Sequence, residues 1–161
     1  MPFIRVGGPG GACDRAELAF REVALEELDS SSASPAPDGA GCAVSVRNDL
    51  DVHSLDGRLD GVDAVILHFP AFTDGRAYSQ ARVLRAQLGF RGDIIARGDV
   101  GRDQALFMAR AGFSLLEVDG AAAHGVSEAM NEFSSFYQAA SDGADPVWRL
   151  RATEGRGRAA A

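Results

Sequence analysis

Residues 64–118 read AVILHFPAFTDGRAYSQARVLRAQLGFRGDIIARGDVGRDQALFMARAGFSLLEV. Three short apolar runs stand in this stretch, AVILHF at 64–69, DIIA at 93–96 and SLLEV at 114–118, and each gap between them has room for one helix. In AYSQARVLRAQL, Tyr78, Ala81, Leu84 and Leu88 fall on one side, and Gln80, Arg82, Arg85 and Gln87 largely on the other. Gly89 supplies a left-handed stop with Phe90 packing behind it. The next unit repeats the grammar: GRDQALFMARAGF turns Leu106, Phe107 and Ala111 inward and ends in Gly112 and Phe113, so the two Gly-Phe stops lie 23 residues apart. Strands alternating with helices predict an α/β fold, a single domain of repeated βα units on a mostly parallel sheet with helices packed on it. Right-handed crossovers put both strand-to-helix loops at one edge, in a doubly wound sheet or a fragment of a barrel.

Outward from that centre, AVSV at 43–46 adds a strand. HGVSEAMNEFSSFYQ predicts a last helix with Val126, Met130, Phe133 and Phe136 or Tyr137 inward, and DPVWRLR a closing strand. Residues 42–151 form the α/β domain, and 152–161 a disordered tail. The tract DSSSASPAPDGAG at 29–41 reads as a flexible loop after a weakly specified N-terminal arm, 1–28. Within that arm, Asp14 stands at capping-box spacing from Glu17, and Ala16, Phe20, Val23, Ala24 and Leu28 suggest a short amphipathic helix.

The chain has 161 residues, enough for one domain with its own core, and 46% hydrophobic content with a mean hydropathy of −0.07 places it among globular proteins. All 16 basic residues are arginine. With no lysine there is no Schiff-base chemistry, no lysine-held pyridoxal phosphate and no GxxxxGK[ST] phosphate loop. A net charge of −7 argues against a nucleic-acid partner. The charge is uneven: residues 14–63 hold 12 acids and 4 arginines, whereas 76–110 hold 7 arginines and 3 acids. Such a cationic stretch either steers an anion or an acidic partner, or lines the wet face of a helix. Cys13 and Cys42 lie 29 apart without metal-ligand spacing, so no zinc or other metal site is expected. The N-terminus lacks a signal-peptide core and no apolar run approaches membrane length, which predicts a cytoplasmic protein with no membrane association.

The candidate site lies in two loops. The first follows AVILHF and contains Phe72, Thr73, Asp74, Gly75, Arg76, Tyr78 and Ser79; the second follows DIIA and contains Gly98, Asp99, Arg102, Asp103 and Gln104. Gly75 would permit close backbone approach, Thr73 or Asp74 would cap the helix, and Arg76 could fork onto an oxyanion. On one edge, Arg76, Arg102, Asp74, Asp99 and Asp103 would converge on a polar crevice. Equally, the same residues could cap helices and pair with one another as scaffolding. His53 and His124 read as solvated or capping residues, Asp49 and Asp51 as a helix entrance, while His68 could face the crevice and serve with Asp99 as a base. No GxSxG elbow exists, and no cofactor is specified.

The stretch from Phe69 to Val118 resembles the bacterial family catalogued as domain of unknown function nine-three-four. Its members carry F-P-x-F-T-D-G-R-x-Y-S-x-A-R-x-L-R, then G-D-V-x-R-D-Q and a Gly-Phe before a strand. EFSSFYQAASDG at 132–143 is similar to the family's end, so the resemblance spans roughly residues 43–150. It implies an accessory protein of assimilatory sulfite reduction, within sulfur assimilation and cysteine biosynthesis, whose partner is sulfite reductase or another enzyme of that pathway. It implies no particular reaction. The loop residues named above occupy the signature positions. One departure is Ala71, where many relatives have lysine; a cationic role here falls to arginines, which grip oxyanions by fixed forks. Three readings stay open: partner or oxyanion binding through the two loops, a small oxidoreductase or other enzyme acting on a sulfur- or phosphate-containing ligand, and a scaffold without ligand.

Overall fold

The computed structural model describes residues 3–6, 13–16, 19–28, 40–118 and 120–159. Among the described residues seven strands form one sheet: β1 (Phe3–Val6), β2 (Cys13–Ala16), β3 (Phe20–Ala24), β4 (Gly41–Val46), β5 (Ala64–Phe69), β6 (Asp93–Gly98) and β7 (Leu115–Glu117), in the order β2-β1-β7-β6-β5-β4-β3. Strands β3 to β7 run parallel in sequential order, and β1 joins β7 antiparallel with β2 outside it. Helices α1 (Arg76–Ala86), α2 (Ala105–Ala111), α3 (Gly120–Met130) and α4 (Val147–Ala159) follow β5, β6 and β7 in chain order.

Sequential order has a consequence for the site. When every parallel crossover steps the same way with the same hand, the helices fall on one face and no strand-order reversal opens a crevice. The core bears this out. Val44, Val46, Val65, Leu67, Phe69, Ile94, Ala96 and Leu116 pack in one cluster with Ala77, Ala81 and Leu84 of α1, Met108 of α2 and Val126 and Met130 of α3. On the opposite face a smaller cluster, Ala43, Ala64, Ile66, Ile95 and Leu115, packs with Phe3 and Phe20. The sheet is singly wound, not doubly wound.

Both Gly-Phe stops form. Gly89 (φ 64) and Gly112 (φ 114) adopt left-handed backbone, Phe90 N donates to Leu84 O and Phe113 N to Met108 O, and both rings are buried. Other expectations need correction. The helix over 14–28 is replaced by β2, β3 and a 3-10 turn at Leu25–Glu27, because Val23 gains burial by pairing beside Val44 in the sheet. Asp14 stands in β2, whereas Glu17 and residues 29–39 of the Ser/Pro tract lie outside the described residues. DPVWRLR is no strand: after the buried Pro146 the chain enters α4, which continues through 152–159 where a disordered tail was expected. The helix after β7 ends at Met130, so Phe133 and Tyr137 stand exposed beyond it rather than inward, while Phe136 is half-buried. Phe107 is 60% exposed, since the α2 stripe uses Ala105, Met108 and Ala109. Gln80, placed by periodicity on the polar face, is buried and donates to Arg47 O and Leu50 O.

Candidate functional site

Strands β5 and β6 are neighbours ending together at Phe69 and Gly98, which sets the two polar loops side by side at the carboxyl edge. Asp99 N donates to Phe69 O at 2.8 Å, extending the ladder by one bond. Gly98 permits this: its φ is 111, and a Cβ there would lie 2.2 Å from Phe69 O. Beyond it, the Asp99 carboxylate accepts from Phe72 N at 2.9 Å, and the Gln104 amide donates to Phe72 O at 3.4 Å. Gln104 is itself set by accepting from Gly101 N at 3.0 Å. The backbone of Phe72 is thus gripped on both sides, while its ring remains 51% exposed.

The charged groups of the first loop satisfy one another. Arg76 sends Nε and Nη2 to the Asp74 carboxylate at 3.0 and 2.7 Å, its amide also donates there, and Asn48 after β4 donates to the same carboxylate at 2.7 Å. Hydrogen bonding from the Arg76 guanidinium, helped by its amide and charge and by Asn48, lowers the Asp74 carboxyl to about 2. Asp74 supplies an acceptor to Arg76 N from one residue before the cap; Gly75, at the cap, has φ −88 and needs no glycine-only conformation. Arg102 turns elsewhere. Its stem lies on Gly125 of α3, where a Cβ would meet Arg102 Cδ at 2.6 Å, and its guanidinium is 4.0 Å from Glu128. Arg76 is therefore committed toward the β4 side of the edge and Arg102 toward α3, and the two do not form a shared oxyanion clamp. Tyr78 packs edge-on against Phe69 and Phe113 at 5.3 and 6.2 Å, and burial, with the nearby Asp103 charge, pushes its hydroxyl to about 12. Thr73, Ser79 and Asp103 are exposed.

The lowered Asp74 carboxyl predicts an acid signature. Because the folded value lies below the ordinary 3.8, the contribution is complete above that pH and is lost as pH falls toward 2. Wild type should therefore have a higher urea midpoint than Asp74→Asn above this window, and the gap should close within it. An unchanging gap would show that the carboxylate's charge is not what the loop uses.

His68 does not meet Asp99. Strand alternation turns Phe69 toward the helices and His68 to the other face, where its Nε2 lies 2.7 Å from Ser45 Oγ. Arg97, one strand over, bonds Glu22 Oε2 at 2.7 Å and also Glu117. Glu22, Ser45, His68, Arg97 and Glu117 thus form a polar row across β3 to β7, beside a cavity of about 720 Å3 that Glu22, Ser45, Arg47 and Asp49 help to line. Burial first, then the Arg97 charge, lowers the His68 imidazole against partial offsets from Glu22 and Glu117. Glu22 is lowered chiefly by its bond to Arg97. Periodicity contained the signal for this row, one polar residue near the end of each strand, but only the register aligns them. Asp51 caps the 3-10 turn through His53 N at 3.0 Å, as expected at a helix entrance, whereas Asp49 does not cap it and pairs with Arg47 at 2.6 Å. Among the described residues no His/Cys/Asp/Glu group could hold a metal.

A family model described as "Bacterial protein of unknown function (DUF934)" matches residues 43–148. The chain belongs to this family. The DUF934 match contains both loops, α1, α2, α3 and Ser45, His68, Arg97 and Glu117, but not β1 to β3 with Glu22. None of the curated proteins matches the chain. Among the described residues no helix of this DUF934 protein is long and apolar enough to cross a membrane.

Proposed function

We propose that this protein is a cytoplasmic accessory protein of assimilatory sulfite reduction that docks on sulfite reductase or another sulfur-assimilation enzyme through the crest of its two signature loops. The pathway rests on the family resemblance. The docking mode rests on one observation, the Phe72 ring presented to solvent on a backbone held by Asp99 and Gln104. A pre-ordered aromatic anchor binds a partner at low entropic cost, and such residues dominate interface energetics. Thr73, Arg76 and Asp103, exposed in the same two loops, supply polar groups for the rim of such an interface. The pairing of Arg76 with Asp74 favours docking over capture of a free oxyanion at this loop, since an incoming anion would have to displace a carboxylate.

The test is co-purification from bacteria grown on sulfate as sole sulfur source. The wild-type chain should recover a sulfite-reduction enzyme, and Phe72→Ala should weaken that capture by about thirtyfold, the loss of a typical anchor of roughly 2 kcal/mol. The half-exposed ring contributes little to folding, so stability should change by less than about 0.5 kcal/mol. Normal growth of a deletion strain on sulfate, with no such enzyme recovered, would overturn the reading.

A further inference from the structure

The opposite, amino-terminal edge of the sheet holds a cavity of about 600 Å3 between the end of α1, the turn into β6 and residues 139–141. Its lining includes Arg82, Arg85 and Arg91. These are a distinct subset of the cationic stretch. Of the seven arginines in 76–110, Arg76, Arg97, Arg102 and Arg110 each have a carboxylate within 4.0 Å. Arg82, Arg85 and Arg91 have none among the described residues, and all three line this one cavity.

Arg85 is built in. Its Nε donates to Gly112 O at 2.9 Å and its Nη1 to Phe90 O and Gly92 O at 2.8 and 2.7 Å, which fixes the guanidinium plane without cancelling its charge. Its Nη2 makes no hydrogen bond among the described residues. The single acid among the described residues of the lining, Asp93, is already engaged: its two oxygens accept from Arg5 at 3.0 and 3.2 Å, and Oδ1 also accepts from Ser114 at 2.7 Å. Burial pulls Arg85 below its ordinary value; Asp93 offsets part of this, and the neighbouring Arg91 charge adds to it. The site therefore gathers three arginines around a polar space whose carboxylate, Asp93, is already shared with Arg5, and a bound anion would relieve both the repulsion and the unmet donors.

We propose that this cavity binds a tetrahedral oxyanion, the phosphoryl or sulfuryl group of a small soluble anion. A second hollow adjoins it, sharing Arg82, Ala139 and Ala140 and lined by Tyr78, Phe107, Tyr137 and Trp148. Rings beside an oxyanion site suit a phosphate ester that carries an aromatic base, such as a nucleoside monophosphate, so the experiment separates that source from the free ion.

Inorganic phosphate, inorganic sulfate and adenosine monophosphate are titrated into the full chain by calorimetry at low salt, with the fluorescence of Trp148, the single tryptophan, followed in parallel. Saturable binding that weakens as salt is raised is expected for at least one of them. In the Arg82→Ala/Arg91→Ala double variant, which removes two exposed charges and no fold-bearing bond, affinity should fall by about tenfold or more. Tighter binding of the nucleotide with a change in Trp148 emission marks an ester as the source; equal affinity for phosphate or sulfate marks the free ion. No saturable binding of any of the three up to about 10 mM, or unchanged affinity in the double variant, overturns the proposal. Phe72→Ala, at the other edge, should leave anion binding intact, so this site and the docking crest fail independently.

Discussion

Gly98→Ala is expected to destabilise the protein by about 3–5 kcal/mol and to lower Tm by on the order of 10 °C. Two costs add. With φ at 111 the position lies where a side chain rarely sits, a strain of about 1–3 kcal/mol. The new Cβ would then fall 2.2 Å from Phe69 O and 3.0 Å from its carbon, atoms that cannot swing aside like a side chain because that oxygen accepts from Asp99 N. Gly89 provides the internal control: its φ is 64, but a Cβ there meets nothing within 4 Å, so Gly89→Ala should cost only about 1–2 kcal/mol. Urea denaturation of the two variants checks the difference, and a Gly98→Ala loss no larger than the control would show that the two strands can part locally. Function should follow stability here. If Asp99 moves with the strained residue, Phe72 loses the acceptor that orders its backbone, and the proposed partner capture should fall even at temperatures where the variant is folded.

That coupling was partly legible in the sequence. AVILHF, DIIA and SLLEV announce buried parallel strands because both faces of such strands are apolar, and the Gly-Phe stops mark where each helix must turn back. Adjacent strands β5 and β6 place the two loops side by side at one edge, as the strand-helix alternation and right-handed crossovers led one to expect. The bonds between them did not follow from that pattern. Asp99 reaching Phe72, and Arg76 spending itself on Asp74, depend on side-chain directions that spacing does not fix. Non-local pairing explains the other departures. FREVA has enough helix formers to be read as a helix, yet beside β4 it gains more as an edge strand. The polar row from Glu22 to Glu117 comes from five separate segments and exists only once their register is set. Likewise Arg82, Arg85 and Arg91 look like a solvated helix face and a turn until the fold sets the 139–141 segment beside them in one cavity.

Arg110→Ala is expected to cost about 3–5 kcal/mol, for a reason unlike that at Gly98. Arg110 leaves α2 with its side chain 11% exposed and bonds Asp142, whose side chain is 1% exposed, at 2.9 Å. The same guanidinium donates to Gln138 O at 2.6 Å and lies 3.7 Å from the centre of the Phe136 ring, while Arg110 O accepts from Ser141 N. One residue thereby fastens the irregular run after α3 to the helix layer. Removing it strands a buried carboxylate, and the penalty of that unpaired charge dominates over the lost contacts. Replacing both partners by apolar residues, Arg110→Met with Asp142→Leu, should therefore recover much of the loss, which denaturation of the single and double variants would measure. If the double variant is no more stable than Arg110→Ala, the bonds to Gln138 and the stacking on Phe136 outweigh the buried charge. Arg110→Lys should recover only part of it: an ammonium can pair with Asp142 but cannot also reach Gln138 O in the same plane over Phe136. In a chain whose cations are all arginine, this is a position where the fork itself, and not only the charge, holds the structure.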